Sequence, residues 1–143
     1  MKTKLVGYLG MVMGFLILSA PLMAHHGTGV SYDMKKVIVL KGVVTRFAFA
    51  NPHSQLYFDV TDDKGNVTHW AAEMRAPGNL LAEGYTRRGL MDKLAPGTQV
   101  TVTGNPSKSG APVVVFSKAL FVDGYCLCNH DGGIGNDNEG TGQ

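Results

Sequence analysis

The 143-residue chain has little cysteine, little tryptophan and few charges: two Cys, one Trp, and 17% Asp, Glu, Lys and Arg. Its cysteines, Cys126 and Cys128, stand one residue apart, so no disulfide can staple distant parts of a core. Two Cα atoms at that separation on an extended chain lie near the upper limit of bridging geometry. The pair also lacks the C-x-x-C spacing of a zinc knuckle. There is no G-x-S-x-G nucleophile elbow, no H-E-x-x-H helix and no glycine loop of the phosphate-cradling kind. The sequence makes no case for a hydrolase and reads as a binding protein rather than an enzyme. No internal repeat is present.

What is there begins at the start of the chain. Met1-Lys2-Thr3-Lys4 is short and basic, Leu5 to Ala20 carries no charge, and Pro21 precedes a small residue, Ala24. This is the pattern of a secretory signal cut after Ala24. The apolar run is close to the short end of a membrane-spanning helix, but Gly7, Gly10 and Gly14 together with Ala24 favour cleavage. No cysteine stands at the junction to carry a lipid. The expected product is a periplasmic or secreted protein with no stable membrane insertion.

Cleavage takes 24 of the 143 residues and leaves 119, one domain with a small core. Lys2 and Lys4 depart with the signal, so the 13 basic residues become 11 and balance the 11 acidic ones. A neutral surface excludes nucleic acid as a partner, because that binding needs concentrated positive charge.

Residues 25–36 form a polar lead-in. Val37 to Phe47 is β-branched and aromatic, with Gly42 marking a bulge or a coiled bend. After Asn51-Pro52, Gln55 to Thr61 alternates, with Leu56, Phe58 and Val60 on one face. Val67 to Met74 returns with Thr68, Trp70 and Ala72 on a shared face. Pairing Phe58 with Trp70 leaves Asp63-Lys64-Gly65 as a three-residue hairpin loop with Gly65 left-handed. Pro77 to Gly84 has proline near its start and glycine at its end, the signature of a short helix, and Thr86 to Leu94 has room for another helical turn. Gln99 to Thr103 and Val113 to Val122 are strands, and Asn105 to Pro112 reads as a loop. Three strands, a short helix and two strands predict an all-β, five-stranded OB-like barrel over residues 37–125, with a small sandwich as the rival. A flexible Cys- and Gly-rich tail is expected over 126–143.

Several of these segments together resemble the DUF6152 family of small exported bacterial proteins of unknown function. The carriers are His25-His26, VLKGVVTRFAFANPHSQLYFDV with its Asn51-Pro52-His53, Trp70-Ala71-Ala72-Glu73, Gly84-Tyr85-Thr86-Arg87, and Leu94-Ala95-Pro96-Gly97 followed by VTVTGNPSKSG. The resemblance spans about residues 24 to 123. Tyr85 stands where members usually have tryptophan, and the Cys126-Leu127-Cys128 segment lies outside it. The resemblance implies export but no activity, so the functional reading rests on individual residues.

Histidines carry that reading. Cleavage after Ala24 would make His25 N-terminal, offering a metal both its α-amine and its ring, with His26 next to it. Nitrogen donors of this kind suit Cu(II), the tightest binder among the common divalent ions, with zinc or nickel as lesser alternatives. An α-amine of pKa ~7.7–8 gives up its proton readily to such an ion. The competing reading is a loose pair that binds metal adventitiously. His53 follows the Asn-Pro step and, in the hairpin register, lies diagonal to Glu73 on the outward face. Diagonal neighbours are roughly 7–8 Å apart, so Glu73 is a fellow ligand or an orienting carboxylate; alternatively His53 only caps the turn. His69 falls opposite Asp59, an ordinary cross-strand pair. Cys126, Cys128 and His130, with Asp131, form a secondary metal candidate for Cu(I) or Zn(II), set against an oxidisable tail. Arg87 and Arg88 near a helix start are a weak anion site or solvated surface.

The expected function is therefore metal carriage, sensing or delivery through His25, His26, His53 and Glu73. The alternative is a non-metal module that takes an oligosaccharide, a peptide or an envelope protein partner on an OB-like face near Tyr57. A structural subunit of an envelope assembly is a third reading, with an exposed apolar patch as its clue.

Overall fold

A computed structural model describes residues 28–128. The signal region, His25, His26 and His130 lie outside the described residues. In chain order the elements are α1 (Thr28–Ser31), β1 (Ile38–Ala48), β2 (Gln55–Thr61), β3 (Val67–Glu73), α2 (Pro77–Ala82), α3 (Arg87–Lys93), β4 (Gln99–Pro106), β5 (Val113–Phe121) and β6 (Cys126–Cys128). Among the described residues the helical segments are these three: α2 and α3 fall where Pro77 to Gly84 and Thr86 to Leu94 allowed them, and α1 lies in the stretch read as a polar lead-in.

Five strands close on themselves. β1 pairs antiparallel with β2 on one edge and β4 on the other, β2 with β3, and β4 with β5. The ring is shut by a short parallel seam, Ala71 to Glu73 of β3 against Val113 to Val115 of β5. The resulting circuit β1-β2-β3-β5-β4 is a closed OB-like barrel, and closure removes the free edges that invite aggregation. β6 pairs with the other end of β5, from Lys118 to Leu120.

Alternation builds the core. Val44, Leu56, Phe58, Ala72, Val102, Val114, Phe116 and Ala119 are buried, and Leu80, Leu90 and Leu94 join them from the β3–β4 connection. Each fully buried Leu or Phe contributes roughly 1.5–3 kcal/mol. α2 starts at Pro77, where a missing N–H costs nothing. At α3, Thr86 Oγ1 accepts from the Gly89 amide at 3.0 Å and caps the first turn.

The hairpin follows its alternation and turn chemistry. Phe58 faces Trp70, Leu56 faces Ala72 and Val60 faces Thr68, and Gly65 has φ +85° in a loop closed by Asp62 and Asn66. Three other expectations are corrected. The β1 bulge lies between Val44 and Arg46, not at Gly42. Gly42 is needed for a different reason: a Cβ there would run into the Asp59 carbonyl oxygen and reach 2.9 Å from Phe58 Cδ2. β4 runs on through Asn105 and Pro106 rather than ending at Thr103, because a bulge at Thr103/Gly104 keeps it paired with β5. The tail does not begin at Cys126, since residues 126–128 form β6 and Leu127 is buried against Ala119.

The lead-in is docked from Ser31 onward. The Asp33 amide donates to the Pro106 carbonyl at 2.9 Å and the Lys108 amide to the Ser31 carbonyl at 3.0 Å. Asn105 Nδ2 reaches the Lys36 carbonyl at 2.7 Å, and Tyr32 bridges to Ser107. Among the described residues no helix is long and apolar enough to cross a membrane.

Candidate functional site: a histidine, a carboxylate and a phenol at the end of the hairpin

The Asn51–Pro52 peptide bond is cis and leads directly into His53. The Ser54 amide donates to the Arg75 carbonyl at 3.1 Å, and the Met74 amide donates to the Ser54 carbonyl at 2.8 Å. These bonds extend the β2–β3 ladder past Gln55↔Glu73 and hold His53 beside the end of β3. His53 Nδ1 lies 2.5 Å from Glu73 Oε1. The second carboxylate oxygen is also engaged: Tyr32 Oη donates to Glu73 Oε2 at 2.6 Å.

Tyr32 is the member that sequence reasoning missed. It is only 6% exposed, although it comes from a stretch read as a polar lead-in. Its phenol is pushed well above the ordinary tyrosine range, by burial first and then by its hydrogen bond to Glu73 and that carboxylate's charge. It therefore stays protonated and keeps donating. The one available sequence signal was a lone aromatic in the polar run Ser31-Tyr32-Asp33.

An ionised carboxylate can only accept. Glu73 accepts from Tyr32 at one oxygen and faces His53 Nδ1 with the other; in the tautomer with its proton on Nδ1 the ring presents a lone pair at Nε2. A carboxylate that fixes a histidine tautomer in this way is the usual outer partner of a metal-bound imidazole. The His53 side chain is 44% exposed, so its ring is open to an incoming ligand. Beside it, Ser54 Oγ is buried and has no hydrogen-bond partner among the described residues. Among the described residues there is no group of three or more His, Cys, Asp and Glu able to hold a metal by itself. A metal at His53 would need donors from outside residues 28–128, where His25 and His26 lie.

The other singled-out residues are placed as follows. His69 Nδ1 meets Asp59 Oδ1 at 2.6 Å on the exposed face of the hairpin, remote from Glu73 in the register. Tyr57 points outward and has the Arg46 guanidinium 4.0 Å from its ring centroid, so one ring face is covered. Arg87 lies 6.0 Å over Phe49, and Arg88 pairs with Asp92 at 3.7 Å, which leaves no arginine pair aimed at an anion. Cys126 and Cys128 are joined to each other, with Cα atoms 5.4 Å apart. A bonded pair offers no thiolate, so the secondary metal candidate would need the reduced form, and its third member, His130, lies outside the described residues.

A closed OB-like barrel whose N-terminal lead-in is hydrogen-bonded to a histidine-bearing corner defines the class structurally. The chain belongs to the family of unknown function DUF6152, which matches residues 14–115. The match contains Tyr32, His53 and Glu73 and ends before Cys126. No curated protein matches the chain.

Proposed function

We propose that this chain is an exported protein that binds a transition metal, copper first, through the His25 amine and ring, the His26 ring and His53 Nε2. Glu73 serves as the orienting carboxylate rather than a ligand, since both of its oxygens are taken. The role is carriage, sensing or delivery of the ion in the periplasm or outside the cell. The observation that carries this reading is the Tyr32–Glu73–His53 chain. Tyr32 belongs to the lead-in, and His26 precedes it by six residues. Four of those six residues form α1 (Thr28–Ser31) and advance only about 1.5 Å each, and the two before it add at most about 7 Å, so His26 must meet His53 within roughly 13 Å of Tyr32.

The test is titration of Cu(II) into protein whose mature N-terminus has been verified by mass. One high-affinity ion per chain is expected, with affinity reduced at least about tenfold in His53→Ala. A mature chain that begins elsewhere, or affinity indifferent to His53, contradicts the reading.

The second reading, an interaction module, draws on the outer barrel face. Val43, Leu120 and Val122 are exposed there and line an open cleft of about 350 Å³ together with Lys41, Asp59 and Thr101. A protein or peptide partner is the occupant those side chains suit.

A further inference from the structure

We propose that the Cys126–Cys128 disulfide is a thiol–disulfide exchange centre that accepts two electrons from a dithiol segment of a polypeptide. The proposal stands apart from the metal reading, since it uses the opposite end of β5 and no histidine.

The bond has no evident stapling role. It joins residues two apart within one strand, and the stabilisation a disulfide brings by loop closure falls as the loop shortens. It connects no two elements of the barrel, and β6 is already held by its pairing with β5 and by Leu127 in the core. Placement favours chemistry instead. Leu127 and Ala119 are opposed and point inward, so alternation turns Cys126 and Cys128 to the outer face, where both are partly exposed.

Their cross-strand neighbours differ. Cys128 lies directly opposite Lys118, and Cys126 directly opposite Leu120, both exposed. Directly opposed side chains start about 4.5–5.5 Å apart at Cβ. A lysine based at that range can swing its ammonium to a departing thiolate, which makes Cys128 the leaving sulfur in the proposed exchange. Leu120 borders the open cleft of the outer face together with Val43 and Val122, which suits a substrate carrying apolar side chains next to its cysteines. Among the described residues β6 pairs with no strand but β5, and Tyr85 Oη donates to the Cys128 carbonyl at 3.1 Å, so an extended segment would approach at the Cys126 end.

The exchange balances as follows. A substrate thiolate attacks Cys126 Sγ, forming a mixed disulfide, and the pair of electrons in the broken bond leaves on Cys128 Sγ beside Lys118. The second substrate thiolate then attacks the substrate sulfur of the mixed disulfide and expels Cys126. The substrate ends as a disulfide, oxidised by two electrons. Cys126 and Cys128 end as a dithiol carrying the two protons that the substrate thiols gave up.

The experiment uses the full chain and a synthetic peptide with two cysteines flanked by leucines, with thiols trapped by alkylation and counted by mass. The expected result is one peptide disulfide formed for each Cys126–Cys128 bond lost under native conditions. The Cys126→Ser/Cys128→Ser chain should be inert but equally folded by circular dichroism. Lys118→Met should slow the reaction about threefold, the effect of a poorer leaving thiolate. A disulfide that resists the peptide until the chain is unfolded by denaturant overturns the proposal. So does collapse of the fold on reduction with dithiothreitol, which would make the bond structural. An unchanged rate in Lys118→Met overturns the assignment of Cys128 as the leaving sulfur.

Discussion

The β2–β3 hairpin carries two histidine–carboxylate pairs of nearly equal length, His53–Glu73 at 2.5 Å and His69–Asp59 at 2.6 Å. Their surroundings make them different objects. The His69 side chain is 82% exposed, against 44% for His53, and Asp59 is 31% exposed against 24% for Glu73. Glu73 also accepts from a buried phenol delivered by the lead-in, whereas His69 and Asp59 face each other across open strands. An exposed pair is screened by water and loses in side-chain entropy what it gains in attraction. A carboxylate that satisfies a buried hydroxyl is costly to remove, because the hydroxyl then has no partner. The contact distance alone therefore does not distinguish the two histidines; the third partner does.

Substitutions of the carboxylates should break this comparison most sharply. Glu73→Ala is expected to cost about 1–3 kcal/mol by chemical denaturation, chiefly from the stranded Tyr32 hydroxyl. Asp59→Ala should stay within about 0.5 kcal/mol. Equal losses would place the two pairs in one class. Next comes Tyr32→Phe, with an expected loss of roughly 0.5–1.5 kcal/mol for one hydrogen bond.

Tyr32 also predicts a pH dependence. Its folded pKa is raised above an unfolded value near ~10. The native state then holds a proton that the unfolded chain has released, so this contribution is complete below about pH 10 and is lost as pH rises through the folded value. Unfolding curves between neutral and strongly alkaline pH should show the decline begin above about pH 10 and flatten in Tyr32→Phe. A slope identical in the two proteins would remove Tyr32 as the cause. The smallest effect is expected at Ser54. Replacing its buried hydroxyl, which has no partner among the described residues, by Ala should leave stability unchanged or slightly higher, and a loss above about 1 kcal/mol would reveal a partner for that oxygen.

Much of the barrel was legible because local signals agreed. Alternation in Leu56-Tyr57-Phe58 and the loop Asp63-Lys64-Gly65 fix the same register independently. That register put His69 opposite Asp59 and His53 diagonal to Glu73. Less legible were features that depend on distant chain segments meeting. The β3–β5 seam involves three residue pairs between strands some forty residues apart, and nothing local marks it. Asn105 reads as a loop residue, yet its amide holds the lead-in through the carbonyl of Lys36. Tyr32 was passed over for the same reason. Its importance comes from a carboxylate 41 positions away, and a single aromatic has no periodicity to betray its face. Cys126-Leu127-Cys128 looked like tail because three residues are too few to show a strand pattern; only the free half of the β5 edge makes them one.

The central claim is that His53, and not its twin His69, is the ring that takes the metal. It is tested most directly by Cu(II) titration of the verified mature chain, followed by electron paramagnetic resonance, in His53→Ala and His69→Ala side by side. The account predicts that His69→Ala keeps the affinity and nitrogen hyperfine pattern of the parent, while His53→Ala loses at least about tenfold in affinity and one nitrogen donor. Identical behaviour of the two variants would contradict it.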